Sequence, residues 1–289
     1  MMRKRWLALL LAALTALALT GCGGGETVYQ DYASAGTAIR EELAGRETPV
    51  RICVNTKEYS PLLGPQRVWD SIVKEAGRHT GDPMKGDHIA MSVLGYSMTY
   101  TEEKKDDGSY DLKMTAEPIY DTTVEQEQEL KAKAEEILRS LNVSEASDYE
   151  TVRAIYGWIC ENVVYDYEHL EAEDYYLHGS AYAAAVNGTA VCAGIADLFY
   201  ILANEAGLDA RIITNSNHAW NFVQVDGKYY YADATWDLGK SEAEYEYFLK
   251  GSLDFDYHMG NVTFGPSGFS NILNHSDLGY DFSMYAYGA

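Results

Sequence analysis

The stretch 215–237, NSNHAWNFVQVDGKYYYADATWD, limits the possible folds of this chain more than any other. Asp226-Gly227 is a strong two-residue turn signal with alternating residues on both sides. A tight turn there sets Val225 opposite Lys228, Trp220 opposite Asp233 and His218 opposite Thr235. Side chains alternate with period two, so these last four share one face. His218 and Asp233 become diagonal neighbours, a separation that long side chains bridge. A carboxylate so placed accepts one imidazole N–H, fixes the tautomer and leaves the second ring nitrogen for another group. A structural His–Asp pair fits the same pattern, so the question is whether a nucleophile belongs with it.

A candidate lies upstream in AAVNGTAVCAGIADLFYILANEAGLDARII, residues 184–213. Asn187-Gly188 marks a turn and Thr189 is the expected N-cap. Ile195, Leu198, Phe199, Leu202 and Ala206 follow helical spacing, and Gly207 is a natural stop. Cys192 then falls in the first helical turn, on the same inner side as Ile195. Free N–H groups and the positive dipole end at a helix start favour thiolate, the nucleophilic form. A small cysteine filling core space is the competing reading.

Taken together, AVCAGIADLFYILANEAGLDARII and NHAWNFVQVDGKYYYADATWD resemble the transglutaminase-like superfamily. The resemblance rests on Cys192 with Gly188 and Gly194, on His218-Ala219-Trp220-Asn221, and on Asp233-Ala234-Thr235-Trp236-Asp237, and covers roughly residues 122–260. It implies an α+β chain with a papain-like core, helices packed on an antiparallel sheet. Cys192, His218 and Asp233 would form a catalytic triad in the cleft between them, acting on amides through a thioester. The backbone N–H of Cys192 is one expected oxyanion donor, with Tyr182 as the side-chain candidate for the other. Trp220 is expected either to wall the cleft or to serve a purely structural role. The interval from Cys192 to His218 is short for the family, which leaves little room for a substrate site built on an inserted loop. With no obvious dry amine channel, a peptidase or amidase is favoured. A protein-crosslinking transglutaminase and a non-catalytic surface-binding protein are the alternatives.

The N-terminus bears on location. Arg3, Lys4 and Arg5 precede WLALLLAALTALALT, fifteen residues and short of the roughly 20 that span a bilayer. Leu19-Thr20-Gly21-Cys22 and the three glycines after it resemble the lipobox of bacterial lipoproteins. That implies a signal peptide over 1–21, a lipidated Cys22 heading a Gly-rich tether over 22–27, and membrane attachment at the extracytoplasmic bacterial surface. An ordinary secretory peptide is the plainer alternative. Loss of 1–21 removes three positive charges from a formal −22, giving −25. A surface that acidic repels phosphates, so nucleic acid is excluded as a partner. At such a location the expected substrate is a protein or a cell-wall peptide.

Cys53, Cys160 and Cys192 remain, an odd number in an oxidising compartment. Cys160, on the flank of a helical stripe, reads as an inert buried thiol, although a Cys53–Cys160 disulfide joining two modules is also open. There is no CxxC pair and no zinc-ligand spacing among the seven histidines, so neither metal nor cofactor is expected.

Residues 28–121 read as a small α/β module of unknown role, and 122–289 as the transglutaminase-like domain. In the first, helices end at Gly45 and Gly77, and TPVRICVN is a strand. The alternations Ile89, Met91, Val93 and Leu112, Met114, Ala116 suggest a hairpin around the polar tip EEKKDDGS. In the second, TTVEQEQELKAKAEEILRSL starts with a capping threonine and SDYETVRAIYGWICENV with a capping-box pattern at Ser147, and both are expected to be helices.

Overall fold

The computed structural model describes residues 27–170, 172, 176–215, 217–253 and 255, and the backbone of 263–264. Cys22 and the leader lie outside them. Among the described residues no helix is long and apolar enough to cross a membrane.

The chain opens with β1 (Val28–Tyr29), α1 (Tyr32–Ala44), β2 (Val50–Thr56) and α2 (Gln66–Ala76). A short helix α3 (Asp87–Ser92) runs directly into the hairpin β3 (Val93–Lys104) and β4 (Tyr110–Tyr120). The sheet order is β1-β2-β4-β3, antiparallel except for β1 with β2. The inward residues Val50, Ile52, Val54, Leu112, Met114 and Ala116 bury against Ile39, Leu43, Trp69 and Ile72 of α1 and α2. Each large side chain so buried contributes about 1.5–3 kcal/mol. The two helices meet closely at Gly36, where an added Cβ would lie 2.6 Å from the Glu75 Cβ.

The hairpin is shorter at its start than the alternation suggested. Ile89 and Met91 belong to α3, and the strand begins at Val93. Long-range ion pairs made by Asp87 and His88, both fully buried, override the local strand-like alternation.

Next come α4 (Val124–Leu141) and α5 (Asp148–Asn162), each opened by a full capping box, Thr123 with Gln126 and Ser147 with Glu150. Two-residue strands β5 (Val164–Tyr165) and β6 (Thr189–Ala190) pair in parallel and deliver the chain to α6 (Cys192–Glu205). Gly194 through Asn204 of α6 are all buried, which makes it the central helix of the larger core. Gly194 is needed there because a Cβ would stand 2.4 Å from the Ser180 carbonyl oxygen. Against α6 packs an antiparallel sheet of β7 (Ala210–Thr214), β8 (Ala219–Val225) and β9 (Lys228–Ala232), with β10 (Thr263–Phe264) on the far edge. The β8–β9 register is the one the turn dictates, Val225 with Lys228 out to Asn221 with Ala232. Asp226 (φ 50°) and Gly227 (φ 78°) are both left-handed, the signature of a type I′ turn.

Buried charge joins the two parts. Asp87 of α3 binds Arg211 of β7 through two 2.8 Å contacts and also accepts the Ile212 N–H. His88 bridges Asp197 of α6 and Glu127 of α4 at 2.8 Å each, and Glu127 also pairs with Arg46 at 2.7 Å. Cys53 and Cys160 are buried and not joined in a disulfide, so none links the modules through them.

Candidate active site

Cys192 occupies the first position of α6. Thr189, the expected cap, is instead in β6, and Val191 takes the cap position in extended backbone without a side-chain hydrogen bond. The helix start therefore keeps its N–H groups available around the sulfur. His218 immediately precedes β8, and its Nε2 lies 2.6 Å from Asp233 Oδ2. The ladder does not continue to these residues as a hairpin would have it. After Ala232 the chain leaves the sheet, and Asp233 caps a 3-10 turn over Ala234–Asp237 by accepting the Thr235 N–H at 3.0 Å. His218 thus does not oppose Thr235 across the sheet, yet the imidazole–carboxylate contact forms because the turn folds Asp233 back under the ring.

The three groups stand in a row. The His218 ring hydrogen-bonds the Cys192 thiol as well as Asp233. Burial raises the thiol's pKa, but the His218 hydrogen bond and charge, with the Ala219 N–H, outweigh it and bring Cys192 below its ordinary value. Burial lowers His218, yet the hydrogen bonds and charges of Asp233 and Cys192 raise it to about 9. Opposite shifts in contacting groups favour the thiolate–imidazolium form. Cys160 shows the contrast, since burial leads the causes that push it up to about 12.

Asp233 is itself rigidly held. Tyr156 donates one hydroxyl bond to the Asp233 carbonyl at 2.8 Å and sits 2.7 Å from Asp237, which is wholly buried. Asp237 also accepts the Tyr247 N–H at 2.9 Å and the Lys240 ammonium at 3.0 Å. Both acidic residues of Asp233-Ala234-Thr235-Trp236-Asp237 therefore act, one on the imidazole and one on the backbone around it.

Two cleft candidates stand elsewhere. Tyr182 turns its hydroxyl to Glu129 of α4 at 2.9 Å and does not line the groove at His218. Trp220 is buried, and its ring stacks beneath the imidazole at 5.6 Å and 22°. It supports His218 rather than walling the cleft. The residues that replace them are Tyr165 and Trp236. Tyr165 stands beside Cys192, and burial with the neighbouring sulfur raises its hydroxyl to about 12. Trp236 is 43% exposed and 5.8 Å from the His218 ring. Tyr165 escaped sequence reasoning because its position depends on the β5–β6 pairing, only two residues long.

A groove of about 790 Å³ leads to His218, lined by Tyr165, Tyr167, Leu170, Trp236, Lys240 and Tyr247 among others. Among the described residues no cluster of three or more His, Cys, Asp or Glu could hold a metal ion. The chemistry available is that of an activated thiol with an oriented acid–base partner.

Residues 135–234 match the family model of the transglutaminase-like superfamily. This segment is a transglutaminase-like domain. The kyphoscoliosis peptidases of Mus musculus and Homo sapiens are 28% and 26% identical over 126 and 125 residues. Each alignment covers 38% of this chain and 19% of the relative, so this chain matches about a fifth of those proteins' length. A solved structure described as a TGase aligns over 68% of this chain and 56% of its own, with 15% identity and a TM-score of 0.35. That superposition is loose, and the site geometry rests on this chain's own side chains. The transglutaminase-like domain so defined contains Cys192, His218 and Asp233.

Proposed function

We propose that this chain is a thiol hydrolase of amide bonds, a cysteine peptidase or amidase working through a Cys192 thioester. The observation that carries the reading is His218 set between Asp233 and Cys192 and lining a groove, with the thiol lowered and the imidazole raised. The Cys192 thiolate adds to the amide carbonyl carbon, and the C=O pair becomes an oxyanion. The Cys192 N–H and the neighbouring Tyr165 hydroxyl are the donors beside it. The His218 imidazolium gives its proton to the leaving nitrogen, the C–N bond breaks and the amine departs. Neutral His218 then takes a proton from water, whose oxygen attacks the thioester and releases the acid and the thiolate. Asp233 holds the ring throughout.

The triad chemistry is common to hydrolysis and amine transfer up to the thioester, and hydrolysis is preferred here because the sequence offers no obvious dry amine channel. Attachment to a bacterial surface through lipidated Cys22 remains part of this reading, supported by the leader sequence. Wild type and Cys192→Ala are to be incubated with a mixed protein extract, and cleavage, deamidation and crosslinks scored by mass spectrometry. New termini in the wild-type sample alone are expected. Isopeptide crosslinks without cleavage would replace the hydrolase with a transferase, and no difference between the samples would remove the catalytic reading.

A further inference from the structure

The groove beside His218 is unusual in its surface chemistry for so acidic a chain. Four of the large apolar side chains that the described residues expose line it: Val164, Tyr167, Leu170 and Trp236. Aromatic contacts extend outward from the catalytic ring. His218 lies 5.8 Å from Trp236, and Trp236 meets Tyr247 edge-on at 4.9 Å. A second pair, Tyr165 and Tyr167 at 4.8 Å, lines the groove near Cys192. Its cationic residues are already engaged, His218 with Asp233 and Lys240 with Asp237 and Glu246 at 3.0 and 3.1 Å. Exposed apolar surface collected in one place marks a binding site, and here it is continuous with the reacting groups.

The direction of the aromatic run has a chemical meaning. His218 protonates the departing nitrogen, so the surface reached past His218 flanks the amine side of the cleaved bond. Ammonia, the leaving group of a side-chain deamidation, would make no use of such a surface. A polypeptide would, through the residue that follows the bond. The net charge of −22 and the neutralised Lys240 both disfavour anionic short peptides.

Resting on the hydrolase reading above, we propose that the site takes an extended polypeptide with an aromatic or long aliphatic residue directly after the cleaved amide, and that Trp236 determines this preference. Internally quenched peptides of one neutral sequence, varied only at that residue among Phe, Leu, Gly and Asp, test it against the full chain. Burial of one large side chain predicts kcat/KM for Phe and Leu about tenfold or more above Gly and Asp. The Phe-to-Gly ratio should fall to within about twofold in Trp236→Ala, chiefly through KM, and be retained in Trp236→Phe. A wild-type enzyme that cuts all four peptides equally, or a preference that survives Trp236→Ala, overturns the assignment while leaving the hydrolase in place. If no peptide is cut but iodoacetamide labels Cys192 faster than Cys160, the polypeptide substrate falls and the activated thiol stands. If Cys192 labels no faster, both readings fall.

Discussion

Helix α6 meets two imidazole–carboxylate pairs, and they differ in what occupies the far side of the ring. At the start of the helix, His218 sits between Asp233 and the Cys192 thiol, with its side chain 14% exposed beside the groove. Five residues on, His88 reaches Asp197 from the N-terminal part, and its second nitrogen is closed off by Glu127. Burial alone would lower the His88 pKa, yet the two carboxylates raise it to about 10. The chemical parts are nearly the same. A ring held by carboxylates on both sides can only bear load, whereas a ring with one carboxylate and one thiol can pass a proton. Under the hydrolase reading, function depends on one neighbour of the imidazole and on access to it.

Replacing each imidazole separates the two roles. The largest effect is expected for His218→Ala, where kcat/KM should drop by about 10³-fold or more as thiolate formation and leaving-group protonation are both lost. Its folding stability should fall as well, since the Asp233 carboxylate left behind is buried, but by less than at His88, because Asp233 keeps the Thr235 N–H and the His218 ring is partly exposed. His88→Leu should show the opposite balance. It strands Asp197 in a fully buried site, and breaking a buried pair costs about 3–5 kcal/mol. Chemical denaturation should report that loss, while kcat per folded molecule stays close to wild type. A stable His88→Leu protein with lost activity would collapse the distinction and make the junction part of the catalytic apparatus.

The same contrast explains which parts could be read from sequence. His218 and Asp233 are fifteen residues apart around a turn whose two residues dictate the register, so their meeting was local information. Cys192 was legible from helical spacing and the glycines around it. His88 and Asp197 are 109 residues apart, and Asp87 and Arg211 are 124 apart. No local period encodes such pairs, and they were strong enough to turn a strand-like alternation into α3. Tyr165 was hidden for a similar reason, since two backbone residues of parallel pairing carry it to the sulfur. The cleft tryptophan, Trp236, was missed for a subtler one. Parity correctly put Trp220 on the His218 face, but that side is buried, and the 3-10 turn after Asp233 brings Trp236 to the groove instead.

The smallest expected effect is the change of stability per pH unit, and it sharpens the comparison most finely. His88 is raised from 6.5 to about 10 in the folded chain, so its contribution is complete below about pH 6.5 and is lost as pH climbs to 10. In that window the unfolded state holds one proton fewer, and stability declines by up to about 1.4 kcal/mol per pH unit. His218 is raised in the same sense, from 6.5 to about 9, and alone would add a similar slope below pH 9. Its partner opposes it. Cys192 is lowered from 9.0, so between its folded value and pH 9 the folded state holds one proton fewer at the thiol and stability rises with pH. Within the pair one proton has moved from sulfur to nitrogen, and the two slopes offset wherever both windows overlap. Denaturant midpoints measured at pH 7, 8 and 9 should therefore fall in wild type and still fall in the Cys192→Ala/His218→Ala double variant, where the His88 slope remains. In His88→Leu the decline should flatten. Equal slopes in all three proteins would mean that His88 carries no extra proton in the folded chain, and a slope that changes only in the double variant would assign the titration to the catalytic pair.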